Sequence, residues 1–378
     1  MSDEVLDSTF SRSHLSLCRR IVVKIGSALL AGPSKKIFNH FASQIASLRR
    51  NGHHVVLVSS GAIAQGLPIL GIKNRPAQLG QLQAAAAVGQ PHLMQRWSAA
   101  FGKYNIPVAQ VLLTHAGLAH RERFLNARHA LFNLEKRGVL PIANENDTVA
   151  TDEIRVGDND QLAAHIASLV GADLLILLTT VPALFSANPE RERSAERIPL
   201  VQSAKDAMRF AGSPGSSGLG VGGMRTKVEA ANTATSLGVP VIIAGGNEAN
   251  ILQRLMSGED VGTLFMPKRQ IQGRKHWIAF TLRPKGSIYI DSGAAMAITQ
   301  SGTSLLPKGL TRVEGNFERG AMVDIHSPTG LCARGLVAYP SEQLIQLIGK
   351  PSSEIASILG YIATESIVDR HDLVLLEQ

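Results

Sequence analysis

The sequence predicts an α/β fold, a three-layer αβα sandwich with a mostly parallel sheet, followed by a small β-barrel-like domain. Up to about residue 263, short apolar runs rich in β-branched residues alternate with longer helical patterns. Strands that alternate with crossover helices form parallel sheets with helices on both faces. Beyond residue 264 the runs become shorter and are separated by glycine, which is typical of a compact β-rich domain.

Six strands and five helices of the first domain follow from this pattern. The strands are predicted at residues 21–25, 55–59, 108–113, 139–144, 174–179 and 240–244. The helices are predicted at residues 38–50, 76–104, 122–136, 158–170 and 224–237. Ligands of such sheets bind beyond the carboxyl ends of the strands, where this chain carries several polar clusters. We therefore expect the functional site in the first domain.

The domain boundaries follow from the change in composition. Residues 266–275 are polar and basic and lack apolar periodicity, which indicates a linker. We predict an N-terminal extension at 1–19, a large domain at 20–263, a linker at 264–276, a small domain at 277–360 and a C-terminal tail at 361–378. In the small domain, strands are expected at 287–291, 312–314, 322–325 and 335–339, and a helix at 341–348.

The formal net charge of +8 is unevenly distributed along the 378 residues. Residues 276–378 carry 8 Lys and Arg against 10 Asp and Glu, a net charge of −2. Residues 1–275 therefore carry a net charge of +10, which favours anionic substrates. A net negative small domain argues against a strong contact with a phosphate backbone, so nucleic acid is not an expected partner.

Several classes of protein are excluded by composition. The two cysteines, Cys18 and Cys332, build neither a disulfide framework nor a cysteine-rich metal site. The charged first twenty residues do not read as a signal peptide. The longest apolar run, around residues 174–178, is far shorter than the ~18 residues of a membrane span. We expect a cytoplasmic protein without membrane contact.

A lysine lies inside the first apolar strand, in the run VVKIGS at 22–27. A buried ammonium group is costly unless it emerges at a site. Lys24, followed by Gly26 and Ser27, places a positive charge beside backbone N–H groups, which is an arrangement that suits a phosphate. The run VSSGAIAQG at 58–66 likewise ends a strand and enters a helix, where exposed backbone donors bind carboxylate or phosphate oxygens.

Two tetrads of short polar residues are the most informative signal. Asn-Glu-Asn-Asp at 144–147 follows a strand, and Gly-Asp-Asn-Asp at 157–160 opens a helix ten residues later. Such side chains around one apolar scaffold suit the binding of an ammonium group, the orientation of a carboxylate and the positioning of basic side chains.

A glycine-rich loop at 216–223 enters a helix that carries Lys227 one turn further on. Backbone amides in such a loop wrap polyphosphate, and the lysine reaches the transferring group. The loop is not a P-loop, which requires Gly-Lys-Ser/Thr directly after it. Two lysines from distant parts of the chain and an acidic residue that organises them indicate phosphoryl transfer, in which catalysis is mainly positioning and charge neutralisation.

These motifs together resemble the glutamate 5-kinase family of the amino acid kinase superfamily, also called gamma-glutamyl kinases. In order, they are VVKIGS, VSSGAIAQG, AAAVGQ, RERFLNAR, PIANENDTVA, VGDNDQLAA and GLGVGGMRTK. The later runs GTSLLPKGLTRVEGNFERG and ARGLVAY resemble the PUA domain that many bacterial members carry at the C-terminus. The resemblance extends from about residue 20 to residue 360.

The resemblance implies the amino acid kinase fold and an ATP-dependent transfer of phosphate to the γ-carboxylate of L-glutamate, the first step of proline biosynthesis. It implies that Lys24 and Lys227 stabilise the transition state and that Asp160 holds both lysines. The residues that it implies for glutamate binding are Ser60, Asn144, Asp147, Asp158 and Asn159. Those that it implies for ATP binding are Lys24, Gly26, Ser27, Thr179, Thr180, Val221, Gly222, Gly223, Met224, Arg225, Thr226 and Lys227.

The resemblance also implies cofactors and partners. Mg²⁺ is expected to be carried by the ATP phosphates, with no dedicated metal site in the protein. Proline is expected as a feedback inhibitor that competes with glutamate, and the chain as a homo-oligomer, either a dimer or a tetramer. A transient contact with glutamate-5-semialdehyde dehydrogenase is expected because the acyl phosphate product is labile. The segment TTVPALFSANP at 179–189 departs from the family pattern, which usually has an acid and a tyrosine there.

Three alternatives remain open at this stage. One is another amino acid kinase, acting on N-acetylglutamate or aspartate. A second is an RNA-binding protein with a degenerate kinase domain, because PUA domains occur in RNA-modifying enzymes. A third is an inactive relative with a regulatory task, which the altered segment at 179–189 suggests.

Overall fold

The computed structural model describes residues 10–30, 36–150, 159–189, 191–211, 223–267 and 284–376. The chain forms two compact units, Met1–Gln270 and Ile271–Gln378. The division lies inside the predicted linker at 264–276, of which residues 268–276 are outside the described ranges.

The first unit is built on an eight-stranded sheet with the order β3-β4-β2-β1-β5-β7-β8-β6. Its strands are β1 (Arg20–Ile25), β2 (His54–Ser59), β3 (Val108–Leu113), β4 (Leu140–Glu145), β5 (Leu174–Thr179), β6 (Leu200–Val201), β7 (Val241–Gly245) and β8 (Thr263–Phe265). All neighbours pair in parallel except β7 and β8, which are antiparallel. The mostly parallel sheet is therefore confirmed, with the six predicted strands each within one residue of their bounds.

Helices connect these strands and cover both faces of the sheet. They are α1 (Ser27–Leu30), α2 (Lys36–Arg50), α3 (Ala62–Ile69), α4 (Leu79–Gly102), α5 (His115–Ala119), α6 (Arg121–Lys136), α7 (Asn159–Val170), α8 (Ala204–Ala207), α9 (Met224–Ser236) and α10 (Ile251–Met256). Residues of α2, α4 and α10 share one apolar core with one face of the strands. Residues of α6, α7 and α9 share a second core with the other face. This is the three-layer αβα sandwich.

The alternation of side chains along β1 shows how one strand serves both cores. Ile21, Val23 and Ile25 contribute to the core shared with α2 and α4. Val22 contributes to the core shared with α7 and α9. Successive side chains of a strand point to opposite faces, so Lys24 faces α7 and α9 as well. The position of the buried lysine is thus fixed by its place in the strand.

Two predicted boundaries of the large domain and the bounds of one predicted helix differ from the structure. The predicted extension at 1–19 contains a 3₁₀ helix, Arg12–Leu17, whose Leu15 is fully buried in the first core. The predicted linker begins inside β8, and the Met266 N–H continues the sheet by donating to the Val201 carbonyl at 2.9 Å. The helix predicted at 76–104 begins only at Leu79 and ends at Gly102. Strands of two or three residues such as β6 and β8 carry no alternation by which the sequence could locate them.

The second unit contains a mixed five-stranded sheet with the order β10-β9-β11-β12-β13. Its strands are β9 (Gly286–Ile290), β10 (Leu310–Glu314), β11 (Met322–Ser327), β12 (Gly330–Val337) and β13 (Val368–Leu375), and its helices are Ser292–Gln300, Ser341–Gln346 and Ile355–Leu359. Leu305, which precedes β10, forms an isolated bridge with Val368 of β13. This bridge joins the segment that precedes one edge strand, β10, to the other edge strand, β13, so the sheet curves toward the expected barrel-like form.

The tail predicted at 361–378 is wrong in part, because its residues Val368–Leu375 form strand β13 of this sheet. β13 pairs with β12 in antiparallel fashion, and Leu373 and Val374 are buried. The prediction missed the strand because its apolar residues are interrupted by Asp369, Arg370 and Asp372.

Within the described ranges, none of the helices combines the length and the apolar character that a membrane span requires.

Candidate active site

Two lysines and one aspartate meet at the carboxyl end of β1. Lys24 Nζ lies 2.5 Å from Asp160 Oδ1, and Lys227 Nζ lies 3.1 Å from Asp160 Oδ2. Lys24 comes from β1, Asp160 from the first turn of α7 and Lys227 from the first turn of α9. The structure therefore brings together the three residues that the sequence singled out for catalysis.

This triad is almost entirely removed from water. Asp160 is fully buried, and Lys24 and Lys227 are 4% and 5% exposed. Such burial of three charged groups is costly unless they are paired and hydrogen-bonded. Here both carboxylate oxygens are occupied by ammonium groups, and the Thr226 hydroxyl donates to Asp160 Oδ2 at 3.0 Å.

The two lysines determine the charge of Asp160. Burial by itself would raise the pKa of this carboxyl, but the charges and hydrogen bonds of Lys227 and Lys24 outweigh it and hold the pKa well below its usual range. Asp160 is therefore ionised at every physiological pH. Three groups with two positive charges and one negative charge leave a net positive charge, which suits the oxygens of a transferring phosphoryl group.

A network of amide side chains lies at the neighbouring strand end. Asn159 Nδ2 donates to Asn144 Oδ1 at 3.0 Å, and Asn144 Nδ2 donates to Gln90 Oε1 at 2.7 Å. The Glu145 N–H donates to Asn144 Oδ1 at 2.9 Å and to Asn159 Oδ1 at 3.2 Å. The two predicted tetrads therefore meet in space, because the end of β4 carries the first two residues of one and the start of α7 carries the last two of the other.

Ser60 lies between this amide network and the lysine triad. It follows β2, which is the neighbour of both β4 and β1 in the sheet, and it is buried. Gly61 begins α3 with a φ of 107°, a left-handed conformation that favours glycine. The Ser60–Gly61 turn thus presents the start of α3 at the carboxyl edge of the sheet, as the sequence predicted.

Asp147 lies in the turn at residues 147–149, three residues beyond Asn144. Burial raises the pKa of its carboxyl to about 6, although the positive charge of Arg75 partly opposes this shift. Arg75 belongs to the loop between α3 and α4, and the sequence analysis did not single it out. Asp158, which was also predicted to bind substrate, lies outside the described residues.

The residues predicted to bind ATP lie on the other side of Lys24. Gly26 and Ser27 follow β1, Thr179 ends the neighbouring β5, and Thr180 follows it. The Gly26 N–H donates to the Leu178 carbonyl at 3.1 Å, so this amide is already used by the fold. A Cβ on Gly26 would lie 3.3 Å from the Leu178 carbonyl oxygen, which is a tight contact, and 3.9 Å from Lys24 Nζ, so the glycine allows β1 and β5 to approach closely beside the ammonium group.

The second group of predicted ATP residues surrounds the start of α9. Gly223 precedes the helix, and Met224 through Lys227 form its first turn. Arg225 Nε is engaged by Glu229 Oε1 at 3.0 Å on the helix surface, and Thr226 contacts Asp160. Val221 and Gly222 lie outside the described residues, together with residues 216–220 of the glycine-rich loop.

A dedicated metal site is not found in the described ranges, where no three His, Cys, Asp or Glu side chains cluster. Both oxygens of Asp160 already contact ammonium groups. A Mg²⁺ ion carried by the phosphates of a nucleotide would need few ligands from these residues.

Two residues of the site, Gln90 and Arg75, were not predicted from the sequence. Gln90 belongs to the motif AAAVGQ, to which no role was assigned, and Arg75 belongs to no motif. A glutamine on an otherwise apolar helical face is a detectable signal, because it must find a polar partner when the helix packs. Arg75 stands in a loop without periodicity, so only the structure reveals its proximity to Asp147.

Comparison with known proteins agrees with this geometry. The model of the amino acid kinase family matches residues 19–245, and that of the PUA domain matches residues 286–359. The glutamate 5-kinase of Geobacter sulfurreducens is 47% identical over 96% of this chain and 99% of its own length. The glutamate 5-kinases of Trichlorobacter lovleyi and Bordetella pertussis are 46% and 44% identical, each over 97% of this chain and 99% of their own. The chain therefore belongs to the amino acid kinase family and, over nearly its whole length, to its glutamate 5-kinases.

Proposed function

We propose that this protein transfers the γ-phosphoryl group of ATP to the γ-carboxylate of L-glutamate and forms L-glutamyl 5-phosphate. The observation that carries the proposal is the buried Lys24–Asp160–Lys227 triad, which lies directly beside the Asn144–Asn159 amide pair. One part of this site suits the oxygens of a phosphoryl group, and the other suits the polar groups of an amino acid. Full-length similarity to glutamate 5-kinases supports this assignment.

The order of strands separates the two substrates. Asn144 lies at the end of β4 and Ser60 directly follows β2, and we assign glutamate to this side together with Asp147, Asp158 and Asn159. β5 ends at Thr179 on the opposite side of β1, and we assign the nucleotide to that side. Lys24 lies on β1 between them, so the reacting atoms meet at the triad.

The reaction needs little covalent chemistry from the protein. An oxygen of the γ-carboxylate attacks the γ-phosphorus, a new C–O–P linkage forms, and the bond to the β-phosphate oxygen breaks to release ADP. The attacking carboxylate is already deprotonated, so no general base is required. Lys24 and Lys227 neutralise the charge on the phosphoryl oxygens, and Asp160 keeps both ammonium groups in place. Mg²⁺ bound to the phosphates would supply further charge neutralisation.

The nature of the product and family membership support further proposals. The acyl phosphate hydrolyses readily, so a transient transfer to glutamate-5-semialdehyde dehydrogenase would protect it. Proline would compete with glutamate at the side of Asn144 and Asp147.

A homo-oligomer, dimer or tetramer, is consistent with β3, which forms an edge of the sheet and leaves Leu112 38% exposed. We place the enzyme in the cytoplasm, where ATP and glutamate are available.

The test is ADP release by the purified protein with ATP, Mg²⁺ and L-glutamate, in which hydroxylamine traps the acyl phosphate as a hydroxamate. We expect glutamate-dependent turnover in the wild type and its loss in Lys227→Ala, because the truncation removes one of two phosphoryl-binding charges. Aspartate and N-acetylglutamate serve as competing substrates. Faster turnover with either of them, or none with glutamate, would refute the assignment of the substrate.

A further inference from the structure

Helix α4 carries two polar side chains on a face that is otherwise apolar. Gln90 and Trp97 are seven residues apart, which places them on the same side of the helix. Trp97 Nε1 donates to Ser59 Oγ at 2.9 Å, next to the substrate residue Ser60. Gln90 Oε1 accepts from Asn144 Nδ2 at 2.7 Å. Both contacts are made at the end of a strand on the glutamate side of the site, so α4 forms hydrogen bonds to two strands there.

The orientation of the Asn144 amide is set by the backbone. The Glu145 N–H is a donor that cannot be reversed, and it points at Asn144 Oδ1. The oxygen of Asn144 therefore faces Glu145 and Asn159, and its Nδ2 faces Gln90. Because Asn144 Nδ2 is a donor, Gln90 must accept this hydrogen bond with its Oε1. The three side chains form a relay with one polarity, from Gln90 through Asn144 to Asn159.

Gln90 pairs one buried amide nitrogen, Asn144 Nδ2, but leaves its own Nε2 unpaired, so stability alone gives little reason for a glutamine at this position. Gln90 is only 8% exposed, and among the described residues its Nε2 has no hydrogen-bond partner. A buried donor without a partner lowers stability. An apolar side chain of the same length would fit the remainder of this face, which is formed by residues such as Ala86, Gly89 and Leu93. The benefit of Gln90 must therefore lie in what its oxygen does for Asn144.

We propose that Gln90 is a positioning residue for the amino acid substrate. The Glu145 N–H sets the orientation of the Asn144 amide, and Gln90 holds its Nδ2 end in place. Asn144 in turn holds the Asn159 amide, whose second N–H group is left to face glutamate. Gln90 does not contact the lysine triad, so its effect belongs to glutamate binding rather than to ATP. This inference rests on the proposed function, because it assigns the Asn144–Asn159 side of the site to glutamate.

The test compares Gln90→Met, which keeps the length of the side chain but removes the acceptor, with Gln90→Glu, which retains an acceptor oxygen. We expect the KM for glutamate to rise about tenfold in Gln90→Met, equivalent to about 1.4 kcal/mol of lost binding. The KM for ATP should stay within about twofold of the wild type, since RT ln 2 is well below 1 kcal/mol. Gln90→Glu should restore most of the glutamate KM.

Gln44 offers a matched control. It is also a buried glutamine, 2% exposed, and its Oε1 accepts from the Leu252 N–H at 2.9 Å. It joins α2 to α10, and neither helix carries a residue that we assign to the site. Gln44→Met should therefore lower the thermal midpoint without changing the KM for glutamate. Gln90→Met should show the opposite pattern, a higher KM for glutamate with little change in the thermal midpoint. The substitution removes the unpaired Nε2 of Gln90 but leaves Nδ2 of Asn144 unpaired instead, so the number of unpaired buried amide nitrogens stays the same.

A double-mutant cycle with Asn144→Ala identifies the route of the effect. If Gln90 acts through Asn144, the addition of Gln90→Met to Asn144→Ala should change the glutamate KM no further. A folded Gln90→Met enzyme whose glutamate KM is unchanged, or full additivity in the cycle, overturns the inference while the proposed function stands. A wild type without glutamate-dependent turnover overturns both.

Discussion

Asp160 holds two buried ammonium groups at once, and this makes it the residue whose loss should cost most. In Asp160→Asn, Lys24 and Lys227 would repel each other without a counter-charge, so we expect kcat to fall at least about 100-fold. The free energy of unfolding should fall by about 3–5 kcal/mol, because a buried charge pair has lost one partner. Initial rates with saturating substrates and urea unfolding would measure the two effects.

Asp173→Asn separates lost stability from lost catalysis. The Asp173 carboxylate accepts the N–H groups of Arg19 and Arg20 at 2.7 and 2.8 Å, at the opposite end of β1 from the triad. This variant should be less stable and keep the kcat of the wild type. An Asp160→Asn enzyme with wild-type kcat would show that the lysines do not depend on the acid.

Asp147 should give glutamate binding its dependence on pH. Burial raises the pKa of its carboxyl to about 6, and only the ionised form attracts the ammonium group of an amino acid. We expect kcat/KM for glutamate to fall as pH drops below about 6 and to be level above it. In Asp147→Asn this acidic limb should disappear, and kcat/KM should be lower across the range. Rate profiles between pH 5 and pH 8 would test this.

The ionised form of Asp147, which favours glutamate binding, should lower the stability of the protein. Because the folded-state pKa of Asp147 lies above its unfolded value, folding favours the protonated form, and stability is lost as pH rises through about 6. Asp147→Asn should therefore raise the urea midpoint at pH 7.5 and leave it nearly unchanged at pH 4. If the variant were less stable at pH 7.5, burial of the ionised carboxylate would not lower the free energy of unfolding.

Helices α3 and α4 touch through glycine, and this contact fixes the position of Gln90. A Cβ on Gly66 would lie 1.8 Å from the Ala85 carbonyl oxygen, and one on Gly89 would lie 1.9 Å from the Ala62 carbonyl oxygen. Gly66→Ala or Gly89→Ala should force the helices apart and lower the free energy of unfolding by about 1–3 kcal/mol. The KM for glutamate should rise with it, because Ser60 and Gln90 flank the contact.

Gly80 provides the control on the same helix. A Cβ there meets nothing within 4 Å, so Gly80→Ala should be neutral or stabilise α4 by up to about 1 kcal/mol. Thermal unfolding and the glutamate KM of the three variants form one experiment. If Gly89→Ala behaved like Gly80→Ala, the close approach of α3 and α4 would not be needed for the site.

The elements that the sequence predicted well are those with a strong period or a long apolar run. β1 and β5 were located within one residue because both are buried on two faces and read as continuous apolar runs. β13 and β8 were missed, since one is interrupted by charges and the other has three residues. Pairing between strands far apart in sequence supplies the information that local pattern lacks.

For the site, the sequence could identify residue types but not contacts. Lys24 was recognisable because a lysine in an apolar strand is costly to bury unless its ammonium group has a function. Lys227 was recognisable because a lysine one turn after a glycine-rich loop suits the binding of phosphate. That both reach opposite oxygens of Asp160 depends on the order of strands and on the faces of α7 and α9. The partner of Gln90 could not be predicted for the same reason, since Asn144 lies 54 residues away.

At the scale of the whole molecule, the two compact units separate the chemistry from the remainder of the chain. Every residue that we assign to the site lies in Met1–Gln270, and Ile271–Gln378 has its own apolar core and sheet. A chain that ends at Gln270 should therefore fold and keep its kcat within about tenfold of the full-length enzyme, as domains with separate cores generally do. Its activity and far-UV circular dichroism would test this.

The separate second unit makes that experiment informative in both directions. Residues 271–378, expressed alone, should unfold cooperatively, because β9 to β13 enclose residues such as Ile288, Val323 and Tyr339 that are fully buried. If both pieces fold but the first is inactive, and activity returns when they are mixed, the second unit must complete the catalytic unit or its oligomer. If the first piece is fully active alone, the C-terminal unit serves regulation or recognition, and its removal should change the response to inhibitors rather than kcat.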